Sequence, residues 1–156
     1  MSAPQQLDRA AIAARIPHAG TMCLLDAVND WDIVRLQARS TRHRDADNPL
    51  RHQGRLGASC AVEFAAQAMA LHGALLATDG AQQRPRAGFL ASMREVRLYC
   101  TRLDSCADDL LVEVLRLNGD DNTVLYHFKL HGAQQLLVEG RAAVVLDADK
   151  TRKATP

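Results

Sequence analysis

The chain has 156 residues and a formal net charge of +1; 47% of its residues are hydrophobic and 24% are charged. These values are typical of one soluble globular domain, and the near-zero net charge argues against general binding to nucleic acid or to an anionic membrane. Aromatic residues make up only 4% of the chain, which is too few for a surface on which bases stack.

The first residues and the cysteine spacing predict neither a signal peptide nor a metal site. The residues ahead of Leu7 include no basic stretch followed by an apolar core, so we expect no signal peptide. The cysteines form no C-x-x-C pair and fit no metal-ligand pattern, so we expect small buried thiols at Cys23 and Cys60. The four cysteines are Cys23, Cys60, Cys100 and Cys106. A reduced, cytoplasmic location is therefore the expectation.

A short helix is predicted near the N-terminus, after a loose tail at residues 1–6. Asp8 can accept hydrogen bonds from the first free amides of a helix, and Pro17 cannot continue one. The predicted helix runs from Leu7 to Ile16.

Two strands and a long polar loop are predicted next. The apolar run Met22–Val28 is short enough for a buried strand, although its pattern alone also fits a helix. Trp31–Ser40 mixes apolar and polar residues in the manner of a second strand. The loop Thr41–Leu56 contains four arginines and two histidines, and long loops in compact domains are usually functional or mobile. Its last residues should line the N-terminus of the element that follows.

The stretch Gly57–Leu76 predicts one long buried helix. It consists largely of good helix formers, and apolar residues occur on nearly every face. Glu63, Gln67 and His72 interrupt it, so it is a poor candidate for a membrane span. Glu63 and Gln67 are four residues apart and share a face. Glu63 is either a functional carboxylate or a solvent-facing residue that suits the positive end of the helix dipole.

The rest of the chain reads as strands, after a polar loop at Thr78–Arg86 and before a polar tail at Asp147–Pro156. The predicted strands are Gly88–Cys100, Leu110–Leu117, Thr123–His131 and Leu136–Leu146. Asn118–Asn122 is a strong hairpin signal, and strands joined by hairpins are antiparallel. We therefore predict an α+β domain in which a long antiparallel sheet wraps one buried helix. One sheet face does not cover a helix that is apolar all round, so a dimer is expected.

Two motifs carry a family resemblance. Both motifs resemble signatures of the 3-hydroxyacyl-acyl-carrier-protein dehydratases. The motif that resembles their opening signature is Ile16-Pro17-His18-Ala19-Gly20-Thr21-Met22-Cys23-Leu24-Leu25-Asp26-Ala27-Val28. The motif that resembles their central-helix signature is Val62-Glu63-Phe64-Ala65-Ala66-Gln67-Ala68-Met69-Ala70. Gly88–Arg97 lies where that family has a strand. The chain is more closely similar to the accessory dehydratase-like proteins of aryl-polyene gene clusters, through Asn48-Pro49-Leu50-Arg51, Gly54-Arg55-Leu56 and Arg141-Ala142-Ala143-Val144.

The resemblance implies one hot-dog domain over residues 1–156 and the dehydration of a 3-hydroxyacyl thioester to an enoyl thioester. This reaction needs a base, an acid and donors to the thioester oxygen. In the resembled family a histidine and a carboxylate from opposite subunits transfer the protons, and amides at the start of the helix bind the oxygen. The resemblance assigns the carboxylate to Glu63 and the amides to Gly57 and Ala58. Gln67 then either orients Glu63 or is simply a satisfied core amide.

The histidine is the departure from the family pattern, because its position falls on Pro49 in this chain. His52 and His18 are the alternatives: His52 is three residues further on, and His18 matches an early histidine that is usually structural. Three functions follow. The chain is a dehydratase using Glu63 with His52 or His18 at a dimer interface, a weak or inactive subunit of a heteromeric dehydratase, or a thioesterase in which the carboxylate activates water.

The resemblance also implies partners. The substrate would arrive on the phosphopantetheine arm of an acyl carrier protein, with no other cofactor, and the chain would form a homodimer or a heteromer with a second hot-dog subunit. Carrier proteins are acidic, so Arg94 and Arg97 are candidate contacts. Arg84, Arg86 and Arg102 are further candidates, unless all five are ordinary surface arginines.

Overall fold

A computed structural model describes residues 5–77, 88–120 and 122–146. The helices are α1 (Arg9–Ala13) and α2 (Ala61–Ala77), and the strands are β1 (Leu7–Asp8), β2 (Ala27–Trp31), β3 (Arg35–Ser40), β4 (Gly88–Leu98), β5 (Leu110–Gly119), β6 (Thr123–Gly132) and β7 (Gln135–Leu146). The predicted loop at Thr78–Arg86 and the predicted C-terminal tail lie outside the described residues, as do residues 1–4 of the predicted N-terminal tail.

The strands form one antiparallel sheet in the order β1-β2-β3-β5-β6-β7-β4. β4 follows α2 in the chain but pairs with β7 at the far edge of the sheet. α2 packs against β3, β5 and β6. The sequence prediction of a long antiparallel sheet around one central helix is therefore confirmed.

The core lies between α2 and the inner face of the sheet. Phe64 on α2 is fully buried, as are Val114 on β5 and Phe128 on β6. Gly140 on β7 makes room for the Phe128 ring, because a Cβ at that glycine would lie 2.8 Å from the ring's Cζ. Among the described residues, Ala58–Ala77 is one segment long and apolar enough to cross a membrane, but the domain's own core covers much of it.

The N-terminal predictions need correction. The first helix is shorter than Leu7–Ile16, because Leu7 and Asp8 pair with β2 before α1 begins. Asp8 does cap it, accepting a 2.8 Å hydrogen bond from the Ala11 amide. The strand predicted over Met22–Val28 begins only at Ala27, and a 3-10 turn occupies Gly20–Met22.

The second strand, predicted over Trp31–Ser40, is in fact the end of one strand, a turn and a shorter strand. The Asp32 carboxylate accepts hydrogen bonds from the Val34 and Arg35 amides, each at 2.8 Å. This side-chain turn ends β2 at Trp31 and starts β3 at Arg35. An aspartate that captures the amides two and three residues ahead is a common way to break a strand.

β4 is a long edge strand, and no strand pairs with its outer side in the described part of the chain. Its apolar side chains Leu90, Val96 and Leu98, with Tyr99 just after it, are 37–49% exposed. The opposite edge of the sheet is β1, which has only two residues. Long apolar edges are normally covered, because unpaired amides and carbonyls recruit other strands.

Candidate active site

The first turn of α2 brings Glu63 and His18 together. A 3-10 turn at Ala58–Cys60, preceded by Gly57, leads into α2, so Glu63 lies within the first helical turn. His18 follows α1, and its Nε2 lies 3.2 Å from Glu63 Oε1. The side chains of His18 and Glu63 are 27% and 34% exposed. The two side chains are therefore partly accessible to a ligand, and the start of α2 and the segment after α1 hold them together.

Gln67 fixes this arrangement from inside the core. Its side chain is fully buried. Its Nε2 donates to the Met22 carbonyl at 2.7 Å and to Glu63 Oε1 at 3.3 Å, and its Oε1 accepts from the Leu24 amide at 2.9 Å. Both interpretations of Gln67 therefore apply: it is a satisfied core amide, and it orients Glu63. It also attaches the segment that carries His18 to the helix that carries Glu63.

The two oxygens of Glu63 have different surroundings. Oε1 lies within hydrogen-bonding distance of His18 and Gln67, whereas no donor from the described residues is bonded to Oε2. His18 Nε2 faces a carboxylate, so a neutral His18 ring carries its proton on that nitrogen. Its Nδ1 is buried and has no partner within the described segments. Oε2 of Glu63 is thus the atom of the cluster best placed to exchange a proton with a ligand.

One of the two backbone amides expected to be free at the start of the helix is already hydrogen-bonded. The Ala58 amide donates to the Thr101 carbonyl at 3.1 Å, so the expectation that it binds a thioester oxygen does not hold in this conformation. Burial raises the pKa of the Cys60 thiol above its ordinary value, and the Gly57 amide lowers it by less. Sulfur is a weak acceptor, so Gly57 is the better candidate donor of the two. No sequence pattern pointed to Thr101.

His52 is not brought to Glu63. It is exposed and forms a tight hairpin with Arg55, through the His52 amide to the Arg55 carbonyl at 2.9 Å and the reverse bond at 3.0 Å. Gln53 and Gly54 at the tip have φ of 51° and 73°. No contact with Glu63 is formed by His52 in the part of the chain that the structure describes. His52 therefore does not join the Glu63 cluster of its own chain, and its role across a dimer interface stays a prediction.

Two other histidines are core residues. His72 on α2 is fully buried, with Nδ1 2.8 Å from the Tyr126 hydroxyl and Nε2 2.7 Å from the Asp32 carbonyl. His43 is equally buried, with Nε2 3.0 Å from the Cys106 carbonyl. Burial lowers the pKa of both imidazoles, since it disfavours the charged ring. Such neutral core histidines suit structure rather than catalysis.

The candidate arginines differ in exposure and in whether a carboxylate binds them. Arg94 and Arg97 are exposed on β4, where Arg94 lies opposite Arg141 and Arg97 lies opposite Glu139. Arg102 is engaged by Asp104. Arg84 and Arg86 lie outside the described residues.

Comparison with known proteins agrees with this architecture. The family model described as "ApeP-like: ApeP dehydratase" matches residues 10–154. No curated protein sequence matches. A solved structure described as the dehydratase heterocomplex ApeI:P from Xenorhabdus doucetiae is 19% identical, covers 100% of both chains and has a TM-score of 0.78. A hypothetical thioesterase protein with coenzyme A from Streptococcus pneumoniae is 9% identical, covers 76% of this chain and 83% of its own, and has a TM-score of 0.56.

AziG from S. sahachiroi is similar at 11% identity, with a TM-score of 0.57 and coverage of 76% of this chain and 88% of its own. At these identities the structural likenesses concern the fold alone. They confirm the hot-dog fold that the sequence predicted.

Proposed function

Because the chain belongs to the ApeP-like dehydratase family, we propose that it contributes the carboxylate of a dehydratase site shared with a second hot-dog subunit. The substrate is a 3-hydroxyacyl thioester and the product is the enoyl thioester and water. The observation that carries the proposal is the contact of Glu63 with His18 and Gln67 at the partly open first turn of α2.

The elimination requires two proton transfers. One group takes the proton from C2, whose electron pair becomes the C2=C3 double bond as the C3–O bond breaks. A second group gives a proton to the departing hydroxyl, which leaves as water. Glu63 Oε2 is placed to make one of these transfers, while His18 and Gln67 hold Oε1. Donors on Oε1 fix the direction of the carboxylate, so it need not reorganise during the reaction.

The second proton-transfer group is a histidine of the other subunit in this proposal. The position of the family histidine is Pro49 here, and His52 makes no contact with the Glu63 of its own chain in the described residues. A homodimer would have proline in place of the family histidine in both of its sites. A heteromer with a histidine-bearing hot-dog subunit supplies it. The similarity to a protein described as a dehydratase heterocomplex supports this arrangement.

The unpaired edge of β4 is the proposed contact for that subunit. It offers free backbone groups and exposed apolar side chains, which a partner strand would cover. Leu98→Lys should therefore weaken binding to the second subunit at least tenfold without unfolding the chain. Leu125→Lys is the matched control, since Leu98 is 49% and Leu125 43% exposed, the latter on β6. Equal binding of both variants, measured by co-purification and titration calorimetry, would refute the proposed contact.

An acyl carrier protein is the proposed source of the substrate. Arg94 and Arg141 lie directly opposite on neighbouring strands, an arrangement that is unfavourable unless an anion neutralises it. Glu95 lies 3.4 Å from Arg141 but is 64% exposed, so its compensation is weak. Arg94→Glu should weaken carrier binding most at low salt, and the exposed Arg55→Glu should not. Unchanged binding by Arg94→Glu at low salt would remove Arg94 from the interface.

We further propose a cytoplasmic location and no cofactor beyond the phosphopantetheine arm of the carrier. Four free thiols are consistent with a reducing compartment.

Turnover of a 3-hydroxyacyl carrier-protein thioester tests the proposed function. The enoyl product should form when the chain is combined with its second hot-dog subunit and not with either subunit alone. Turnover by this chain alone, abolished in His18→Ala, would instead show a self-sufficient enzyme. Release of the free acid would show a thioesterase.

A further inference from the structure

A largely buried ion pair joins the loop ahead of α2 to the segment after β4, outside the cluster described above. Arg51 belongs to the loop Thr41–Leu56, and Asp104 belongs to the segment after β4. Their NH1 and Oδ2 atoms are 3.3 Å apart, and the side chains are 17% and 5% exposed. Burying two charges is costly unless their remaining donors and acceptors are satisfied. The hydrogen bonds of each partner show what the pair does.

Arg51 ties its own loop together. Its Nε donates to the Asp45 carbonyl at 2.6 Å, its NH1 to the Gly54 carbonyl at 3.1 Å and its NH2 to the His43 carbonyl at 3.2 Å. One planar guanidinium thus binds three backbone carbonyls and a carboxylate at once. A lysine ammonium cannot reproduce this spread of donors.

Asp104 ties that loop to the helix start. Its carboxylate accepts from Arg102 Nε at 2.9 Å and from Arg102 NH2 at 2.5 Å. The Arg102 guanidinium and the Leu56 amide hold the pKa of this carboxyl well below its usual range. Leu56 also accepts from the Leu103 amide at 2.8 Å. Leu56 is two residues ahead of the 3-10 turn that opens the helix.

We propose that Arg51, acting through Asp104, is a positioning residue for Glu63, an inference that rests on the proposed function. Glu63 lies on the first turn of α2, and Gln67 attaches the His18 segment to the same helix, so the cluster moves with the helix start. Arg51 and Asp104 fix that start against the loop Thr41–Leu56. They therefore set where the carboxylate lies relative to a bound substrate.

Arg51→Lys and Asp104→Asn test this in the full chain assembled with its second subunit. Displacement of a reacting group by about 1 Å can cost about 100-fold in rate, so we expect kcat to fall about 10- to 100-fold in each variant. KM should stay within about twofold, because substrate contacts are not removed. The double variant should lose little more than the worse single variant, since both act in one network.

Arg44→Lys is the matched control. Arg44 also pairs with a carboxylate, Asp109 at 2.9 Å, and with the Ala107 carbonyl, but it is 38% exposed and makes no bond to the helix start. Its kcat should be unchanged. If the folded Arg51→Lys and Asp104→Asn proteins keep kcat within twofold, or lose activity only in proportion to lost folded protein, the positioning role is wrong.

Hydrogen exchange supplies a readout that does not depend on turnover. The Leu56 and Ala58 amides should exchange at least tenfold faster in Arg51→Lys than in Arg44→Lys, because the bonds that order them are loosened. Equal exchange would overturn the inference. If the unsubstituted complex does not dehydrate the substrate, the proposed function fails, and the exchange experiment alone then decides whether Arg51 positions the helix start.

Discussion

Replacement of Gln67 tests whether the buried amide organises the site. Gln67→Leu removes its bonds to Met22, Leu24 and Glu63 at once. The Leu24 amide and the Met22 carbonyl then lose their side-chain partner. Leaving a buried polar group unpaired costs about 1–3 kcal/mol, so two such groups predict a loss of about 2–6 kcal/mol in unfolding free energy. The extra apolar burial of leucine offsets about 1 kcal/mol of it.

The variant should also slow the reaction, because both the His18 segment and Glu63 lose an anchor. Gln67→Glu separates the two effects: it keeps an acceptor for the Leu24 amide but places a second carboxylate where Nε2 lies 3.3 Å from Glu63. Like charges this close disfavour ionisation of both groups, so activity in Gln67→Glu should require higher pH than in the unsubstituted protein.

Urea unfolding and enoyl formation measure these effects. Gln37→Leu on β3 is the control, since Gln37 is only partly buried and makes none of these bonds. A Gln67→Leu protein as stable as the control and fully active would refute the view that this amide holds the cluster together.

Three further predictions concern stability. His43 and His72 have pKa values lowered by burial, so the unfolded chain binds protons more readily than the folded protein at pH values below about 6.5. The contribution of these two neutral histidines to stability is therefore full above that pH and falls as the pH decreases. The urea midpoint of unfolding should be lower at pH 5.5 than at pH 7.5. An equal or higher midpoint at pH 5.5 would contradict this prediction. Gly140→Ala should destabilise the protein by about 1–3 kcal/mol through overpacking, since its Cβ would lie 2.8 Å from Phe128. Gly73 on α2 has open space at the position of a Cβ, so Gly73→Ala should stabilise the single chain by about 0.5–1 kcal/mol. The midpoint of thermal unfolding should therefore fall in Gly140→Ala and rise in Gly73→Ala. Shifts of both variants in the same direction would contradict these two predictions.

The sequence predicted those helices and strands whose apolar pattern lies within one short stretch of neighbouring residues. α2 and the hairpin strands β5, β6 and β7 appear where the apolar patterns and the Asn118–Asn122 turn indicated. The strand expected over Met22–Val28 was wrong because the partners of that backbone come from far along the chain. The Met22 carbonyl and the Leu24 amide bond to the side chain of Gln67 instead of to a neighbouring strand. No window of neighbouring residues contains that information.

In the candidate site, too, the sequence predicts contacts between near neighbours in the chain but not contacts between distant segments. The spacing of Glu63 and Gln67 was readable, because four residues on a helix share a face. The contact of His18 with Glu63 depends on how the segment after α1 crosses the helix. The closure of the Ala58 amide by Thr101 depends on pairing between residues more than forty positions apart. Arg51 and Asp104 carry no pattern of their own, and only the folded chain places them together.

The assignment of the carboxylate to Glu63 is tested most directly by the rate of enoyl formation in the assembled heteromer carrying Glu63→Gln. This variant keeps the volume of the side chain and an acceptor for His18, but it cannot exchange a proton. Removing a general acid or base typically costs about 100- to 10,000-fold in rate, so kcat should fall by at least about 100-fold while the heteromer stays assembled on gel filtration. An assembled Glu63→Gln heteromer that keeps kcat within twofold of the unsubstituted complex would contradict the assignment of the carboxylate to this chain.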